Sequence, residues 1–112
     1  MKIMEAGKLK HRIEVWGREE YQNDFLETDY RNKKIMTIWS EIIPQTGNMQ
    51  RAQAETILTK CTHKVKVRYR SGKNITPDMW LIFRGKRFDI RYILNPYFSN
   101  ESLEIFVEEV TV

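Results

Sequence analysis

The sequence predicts a mainly β protein, a small antiparallel β-barrel of about six strands with one long projecting loop and at most one short helix. Several stretches alternate apolar and charged residues with a period of two, as half-buried strands do. Turn-forming residues separate these stretches, and no stretch has the period of a long amphipathic helix. With 112 residues and no composition shift, the chain is expected to form a single domain over residues 1–112.

In the first third of the chain, two strands are predicted on either side of an irregular segment. Leu9 to Val15 alternates apolar and charged residues, and Gly17 is expected to end this strand. Residues 18–34 are polar with scattered aromatics and fit neither period, so they are predicted to form a long excursion between strands. Ile35 to Ile43 is rich in β-branched residues and is predicted as the second strand, which Pro44 ends.

The segment that follows, residues 45–56, is predicted to be a loop between two strands. Thr46-Gly47-Asn48 is typical of a turn, and the run "MQRAQAE" holds good helix formers. The run is too short and too polar for an independent helix, so it favours one or two helical turns.

The second half of the chain contains the clearest strand, Thr62 to Arg70. Its odd-numbered positions point one way and its even-numbered positions are all basic: Lys64, Lys66, Arg68 and Arg70. Three interpretations of these cations are open: they contact phosphate, they face solvent or a subunit interface, or they pair with acidic residues of a neighbouring strand or subunit. Glu104, Glu108 and Glu109 are the candidates for such pairs.

Two turns and three further strands are predicted downstream. Pro77-Asp78 suits the start of a type I turn, because proline presets φ at the second position. Gly85 lies in a tight hairpin, "RGK", where it can take a positive φ without steric cost. The strands are Met79 to Phe83, Arg87 to Leu94 with Phe88 and Ile90 inward, and a last one with Leu103, Ile105 and Val107 inward and Phe106 outward.

Composition and charge restrict the classes of function without choosing one. The formal net charge is +4, from 19 basic and 15 acidic residues that are interleaved, which permits a nucleic-acid partner without requiring it. One cysteine excludes an internal disulfide and fits synthesis in a reducing compartment. No apolar run is long enough to cross a membrane, and the first residues show no secretory signal.

Three segments, in this order, resemble one family. They are "AGKLKHRIEVW", "TIWSEIIPQTGNMQRAQAE" and "THKVKVRYRSGKNITPDMWLIFRGKRFDIRYILNP". Together they are similar to the phage head–tail joining proteins, also called head-closure or stopper proteins, of long-tailed phages and prophages. The resemblance runs from Gly7 to about Val107. Residues 18–34 are longer and more charged than the family leads one to expect, and the run after Pro96 carries little family signal.

The resemblance implies a non-enzymatic virion protein, made in the bacterial cytoplasm, that forms a ring at the head–tail junction. Such a ring closes the DNA exit channel after packaging and offers a docking surface to the tail. The implied partners are other copies of the chain, the portal-adaptor protein above, a tail completion or tail protein below, and packaged double-stranded DNA held without sequence preference. No cofactor and no membrane is implied. By position, the residues implied to project into the channel are Thr46, Gly47, Asn48, Met49, Gln50, Arg51 and Gln53.

Two alternatives to this function remain open at the level of sequence. Residues 45–56 also fit an ordinary surface connection between two strands. The chain also fits a small nucleic-acid-binding barrel of the OB or Sm-like kind, in which the basic strand and Tyr69, Phe83 or Tyr92 would contact bases. Tyr69 falls with Val65 and Val67, opposite the cations, which favours core packing over base stacking. A tail-side completion protein is a further alternative.

No motif in the sequence predicts catalysis or metal binding. Cys61 and His63 form a C-x-H pair, but a zinc site lacks further ligands, because no second cysteine exists and His11 lies far away in sequence. Both histidines fall on apolar strand faces and are predicted to lie in the core or at an interface. No third group that would orient a Cys–His pair is apparent, and no phosphate-binding glycine loop occurs.

The three tryptophans divide by position. Trp39 and Trp80 lie within apolar strands and are predicted to be core residues. Trp16 falls on the charged face of its strand beside Gly17, where an exposed aromatic is a candidate subunit contact.

Overall fold

A computed structural model describes residues 9–45 and 61–111, and in these residues six antiparallel strands close into a barrel in the order β1-β2-β3-β6-β5-β4. The predicted fold class is therefore confirmed. The strands are β1 His11–Gln22, β2 Thr28–Pro44, β3 His63–Arg68, β4 Trp80–Phe83, β5 Lys86–Leu94 and β6 Ser102–Val110. A four-residue helix, α1 Tyr69–Gly72, follows β3, and a three-residue 3₁₀ helix, Pro96–Phe98, precedes β6.

Inward-facing residues of all strands but β2 form one core, which α1 and its following turn close at one end. The buried members are Ile13, Val15, Val65, Val67, Ile75, Leu81, Phe88, Ile90, Leu103, Ile105 and Val107. The period-two pattern predicted this inward set for β1, β3, β5 and β6. At the closed end a Cβ on buried Gly72 would lie 2.7 Å from Val67 Cγ2, so only glycine lets α1 approach β3 this closely.

The prediction of an irregular excursion over residues 18–34 is wrong. β1 continues through Gly17 to Gln22, and β2 begins at Thr28, so a five-residue turn joins two long strands. They stay in register from Gly17 with Lys33 to Gln22 with Thr28. Residues 24–35 are all exposed, and a ribbon with two exposed faces carries no apolar period by which a strand is detected.

This two-stranded extension, residues 17–34, projects from the barrel and is called the arm below. β1 pairs with β4 only from Glu14 to Trp16, and β2 pairs with β3 only from Glu41 to Pro44, so beyond these positions no third strand from residues 9–45 or 61–111 joins the arm. Six paired positions at ~3.3 Å each give the arm a length of about 20 Å.

A β-bulge marks the point where the arm leaves the barrel. Val15 pairs with Met36 but Trp16 pairs with Lys34, so Ile35 is the extra residue. A Cβ on Gly17 would lie 2.6 Å from Ile35 Cδ1, so the glycine makes room for the displaced isoleucine. Bulges bend a strand and increase its twist, which redirects the arm.

Two side chains lie opposite to their predicted environment. Trp39 was expected in the core, but 51% of it is exposed, and the Arg12 guanidinium lies 5.5 Å from the centre of its ring. Phe106 was expected outward, but it is buried against Tyr92, with ring centres 6.1 Å apart. A register shift between Ile90 and Tyr92 on β5 brings Tyr92 opposite Phe106. Trp80 is buried, as the sequence predicts.

Smaller corrections concern strand ends. Pro44 is the last residue of β2 and does not end the strand before it, because it occupies the final pair of the β2–β3 ladder, with His63. β3 ends at Arg68, and the backbone of Tyr69 and Arg70 turns into α1.

The register gives the barrel two distinct ends. Trp16 pairs with Trp80, and Arg68 pairs with Ser102, so the end that bears the arm also carries α1 and the loop before β6. The β4–β5 hairpin lies at the opposite end, together with the end of β2 at Pro44. The connection from β2 to β3 and the arm therefore depart from opposite ends.

Candidate interaction surfaces

The residues implied to line a channel lie outside the described part of the chain. These are Thr46, Gly47, Asn48, Met49, Gln50, Arg51 and Gln53. Their anchoring points are described. The Gln45 N–H donates to the Thr62 carbonyl at 2.9 Å, and the Thr62 N–H donates to the Val107 carbonyl at 2.9 Å. The Glu109 N–H also donates to Thr62 Oγ1 at 2.8 Å. Residues 46–60 thus connect two adjacent, hydrogen-bonded points on one end of the barrel.

The arm, which sequence reasoning missed as an ordered element, is held by a turn built on Asn23. Its side-chain Oδ1 accepts hydrogen bonds from the backbone N–H groups of Phe25 at 2.9 Å and Glu27 at 3.1 Å. The Leu26 N–H donates to the Asn23 carbonyl at 2.9 Å, and Leu26 takes a positive φ of 61°. Asn23-Asp24 between two tyrosine-containing runs was the signal available in the sequence.

Cross-strand side-chain pairs stabilise one face of the arm in place of a core. Glu19 accepts from Arg31 Nε at 2.9 Å and from Lys33 Nζ at 3.1 Å. The Arg31 guanidinium also lies 4.7 Å from the centre of the Tyr21 ring. Hydrogen bonds from Arg31 and then Lys33 hold the pKa of Glu19 below its ordinary value. Such pairs are the units that stabilise a sheet lacking a buried face.

The tip of the arm combines negative charge with exposed apolar side chains. Residues 19–30 contain five acidic residues and no lysine or arginine. At the turn, Phe25 is 81% exposed and Leu26 is 78% exposed. A monomeric protein leaves single apolar residues exposed, but two adjacent large ones at the end of an ordered projection are typical of a contact site.

The basic face of β3 is partly neutralised by acidic neighbours. Lys64 Nζ lies 3.7 Å from a Glu104 carboxylate oxygen, and both side chains are mostly buried. Lys66 lies opposite Glu41 in the β2–β3 ladder and opposite Glu104 in the β3–β6 ladder, so acidic residues flank it on both sides. Arg68 lies opposite Ser102, and in the described ranges it makes no ion pair. The face is therefore not a continuous row of free cations, which disfavours a phosphate-binding stripe.

The other aromatic residues of the nucleic-acid alternative are also engaged in packing. Tyr69 packs against the core, as does Phe83, which also contacts the His11 ring edge-on at 5.2 Å. Tyr92 contacts Phe106. These residues therefore do not form the exposed surface of alternating aromatic and basic side chains that base stacking requires.

Both turns predicted from the sequence, at Pro77-Asp78 and at Gly85, lie within the described residues. The Met79 N–H donates to the Thr76 carbonyl at 3.0 Å, which places Pro77 and Asp78 at the two central positions of a turn. The hydroxyl of Thr76 also donates to the Asp78 carboxylate. Arg84 and Gly85 take φ values of 52° and 78° between the paired residues Phe83 and Lys86, the geometry of a two-residue type I′ hairpin.

Trp16 is half-buried in the middle of β1 rather than at the end of a strand. Its Nε1 donates to Glu14 Oε1 at 2.9 Å, and its backbone pairs with Trp80. The side chain lies at the base of the arm, so its predicted role as a subunit contact stays a prediction.

The groups that looked capable of chemistry are engaged or buried. His11 Nδ1 accepts a hydrogen bond from the Ile42 N–H at 3.3 Å, and His63 Nδ1 lies 2.9 Å from Thr62 Oγ1. Burial raises the pKa of the Cys61 thiol, which keeps it protonated and weakly nucleophilic near neutral pH. Within residues 9–45 and 61–111, no three His, Cys, Asp or Glu residues come together as metal ligands.

Taken together, the described residues form a closed six-stranded barrel that carries the arm at one end and the anchoring points of residues 46–60 at the other. In the same part of the chain, no helix is long and apolar enough to cross a bilayer. The sequence profile of the phage head completion proteins matches residues 4–110, and the chain belongs to this family. It is therefore a phage structural protein of the head–tail region.

Two solved structures share the fold. Protein SF1141 from Shigella flexneri 2a, determined in solution, superposes with a TM-score of 0.76 at 20% identity, over 95% of this chain and 96% of that one. A chain from the virion of a native gene transfer agent particle superposes with a TM-score of 0.59 at 13% identity, over 93% and 97% of the two chains. No curated protein matched the sequence.

Proposed function

We propose that this protein forms a ring at the head–tail connector, closes the DNA exit channel after packaging, and provides a surface on which the tail docks. Its partners are other copies of itself, the portal-adaptor protein above, a tail completion or tail protein below, and packaged double-stranded DNA contacted without sequence preference. It acts at the head–tail junction of the virion and carries out no catalysis.

The observation that carries this proposal is the match of residues 4–110 to the phage head completion proteins. Completing a head after packaging requires that the DNA exit be closed and that a tail-binding surface be made. The overlap in fold with a chain of a virion particle agrees with a structural role in such an assembly.

The anchoring of residues 46–60 supports their role as the closing element. The backbone hydrogen bonds of Gln45 and Thr62 fix both ends of the segment to the barrel. The strand pairs β2–β3 and β3–β6 on either side of these anchoring points consist of described residues alone. A segment so attached can be changed while the scaffold persists, as functional loops on rigid folds commonly can.

Deletion of residues 46–53 tests the proposal. We expect the variant to fold, because the deleted residues contribute nothing to the described strand ladder, and to bind heads that lack the protein. Those heads should then fail to retain packaged DNA, measured as nuclease-sensitive DNA released from purified particles.

A matched control separates the effect of the length of the connection from the effect of its side chains. Replacing residues 46–53 by eight glycine and serine residues keeps the length of the connection and removes its side chains. If closure depends on the side chains, this variant should also leak. Full DNA retention by the deletion variant, bound at normal occupancy, contradicts the closing role.

A further inference from the structure

We propose that the tip of the arm of one copy docks on the arm-bearing end of the next copy, where α1 and the loop before β6 form its receiving surface. This inference rests on the proposed ring and identifies the contact between its subunits. The donor is the acidic, apolar tip at residues 19–30, and the receiver is a surface that joins cations to exposed aromatics.

The receiving surface, called the corner below, comprises Arg68, Arg70, Lys73, Tyr97 and Phe98. Tyr97 is 97% exposed and Phe98 is 90% exposed. The three cations make no ion pair with any residue in the described ranges. Arg70 lies in the last turn of α1, and Lys73 follows that helix directly.

A hydrogen bond holds the cationic and aromatic parts of the corner together. The Tyr69 N–H at the start of α1 donates to the carbonyl of Glu101, in the loop that follows the 3₁₀ helix, at 3.2 Å. The backbone of this loop is unusual, since Tyr97, Phe98 and Asn100 take positive φ values of 56°, 52° and 58°. Bulky residues in this region are strained, and strain of this kind concentrates at contact sites.

Donor and receiver match in both charge and apolarity. The tip holds five acidic residues and no lysine or arginine. Glu19 is neutralised by Arg31 and Lys33 of the same arm, and the other four, Glu20, Asp24, Glu27 and Asp29, make no ion pair with a described residue. Phe25 and Leu26 at the tip correspond to Tyr97 and Phe98 at the corner as large exposed apolar groups. Two copies therefore attract through unlike patches, and equal tips repel each other.

The placement of both patches favours a closed ring over a fibre. Arg68 pairs with Ser102 and Trp16 with Trp80, so the corner and the base of the arm lie at the same end of the barrel. A contact between two different surface patches can repeat from copy to copy. The chain of copies closes into a ring when each copy is related to the next by a rotation without translation along the axis. A ring therefore requires that the bend at Ile35 direct the arm sideways, so that all copies lie at one height.

The arm itself provides the reason for a partner. It is a two-stranded ribbon whose residues 24–35 are exposed on both faces and whose outer edges have no third strand within the described residues. Isolated ribbons of this kind are marginally stable in water, and their free edges invite pairing. A neighbour that binds the tip supplies the missing contacts.

Cysteine cross-linking between assembled copies tests the contact. Thr28→Cys places a thiol within the tip, and Asn74→Cys places one beside Lys73. Both positions are exposed, and both variants keep every charged and every large apolar side chain proposed to take part. The two proteins, one carrying a tag that shifts its mass, are mixed on DNA-filled heads that lack the protein and treated with a short bismaleimide. We expect a cross-linked dimer that contains one copy of each variant.

Controls separate this contact from the alternatives. Each cysteine variant alone, and the native chain with only buried Cys61, should give no dimer. Reversing the tip charges with Asp24→Lys and Glu27→Lys in the Thr28→Cys chain should abolish the mixed dimer. Arg70→Glu and Lys73→Glu in the Asn74→Cys chain should then restore it.

The outcomes distinguish this contact from the ring itself. Several copies bound per head without a mixed dimer would overturn the docking contact and leave the proposed function standing. Dimers of Thr28→Cys with itself, or cross-links to another connector protein, would also overturn it. Heads that bind no copies at all would contradict both proposals.

Discussion

Gly85 shows how a single residue fixes the end of the barrel opposite the arm. It follows Arg84 in a two-residue turn, and both residues take a positive φ. A Cβ at Gly85 would meet nothing within 4 Å, so space does not limit this position and backbone conformation does. A β-branched residue is strongly disfavoured in this region.

We therefore expect Gly85→Val to destabilise the protein by about 1–3 kcal/mol. Urea unfolding followed by tryptophan fluorescence measures this change. Gly85→Asn is the matched control, because asparagine tolerates positive φ, and its cost should be clearly smaller. Equal stability of the valine variant and the native chain would show that this turn is not type I′ in solution.

Glu19 makes the arm sensitive to acid. Hydrogen bonds from Arg31 and Lys33 lower the pKa of this carboxyl group. A lowered pKa in the folded state means that the contribution to stability is present above the ordinary pKa of the group. It is lost as the pH falls through the folded value.

We expect Arg31→Gln to raise the pKa of Glu19 toward its ordinary value, as followed by NMR titration of the side-chain carboxyl. Lys33→Gln should raise it less, because Arg31 is the stronger cause. Arg91→Gln is the control variant, because the Arg91 guanidinium contacts Glu108 instead, and it should leave the pKa of Glu19 unchanged. An unchanged Glu19 pKa in both variants would show that the contacts of Glu19 with Arg31 and Lys33 do not form in solution.

At the scale of elements, the arm and β3 show what a period can and cannot reveal. β3 has one buried and one polar face, so alternation located it and its inward residues Val65 and Val67. The arm has two exposed faces, and its stability comes from cross-strand pairs that depend on register. The register of two strands cannot be predicted from sequence until the turn between them is known. Here the turn depends on hydrogen bonds to the side chain of Asn23.

Bulges limited the prediction in a second way. A period-two pattern assigns each side chain to a face only while the ladder is regular. Ile35 and Arg91 each interrupt a ladder, and the register shift near Arg91 accompanies the burial of Phe106. Trp39 lies in a regular part of the β1–β2 ladder, so a register shift does not explain its exposure. Its apolar neighbours suggested a core position, but its ring is covered only partly, by Arg12.

At the scale of the whole molecule, the arm and the connection from β2 to β3 lie at opposite ends of the barrel. Residues 46–60 connect strands at one end, and the arm and the corner lie at the other. The barrel could be predicted because turn chemistry and alternation are local, whereas the family was indicated by the resemblance of three segments. The corner could not be predicted, because its two segments are linked only through the β3–β6 pairing and the hydrogen bond from Tyr69 to Glu101.

Mass measurement of the assembled state checks the ring as a whole. We expect the chain alone at low concentration to have a mass near 13.5 kDa, and to form a defined multimer when mixed with portal-adaptor complexes. A surface contact of this size between charged patches is weak in isolation and gains from a template that holds the copies close together. Added salt should dissociate the chain more readily in solution than on the connector. A chain that stays monomeric when bound to the connector would contradict a ring.

The length of β2 links the two segments to which separate contacts are assigned above. This one strand runs from Thr28, within the tip of the arm, to Pro44, and residues 46–60 begin just beyond Gln45. The bulge at Ile35 bends the strand between these two segments. A single stretch of extended backbone therefore joins the residues proposed to bind a neighbouring copy to the segment proposed to close the channel.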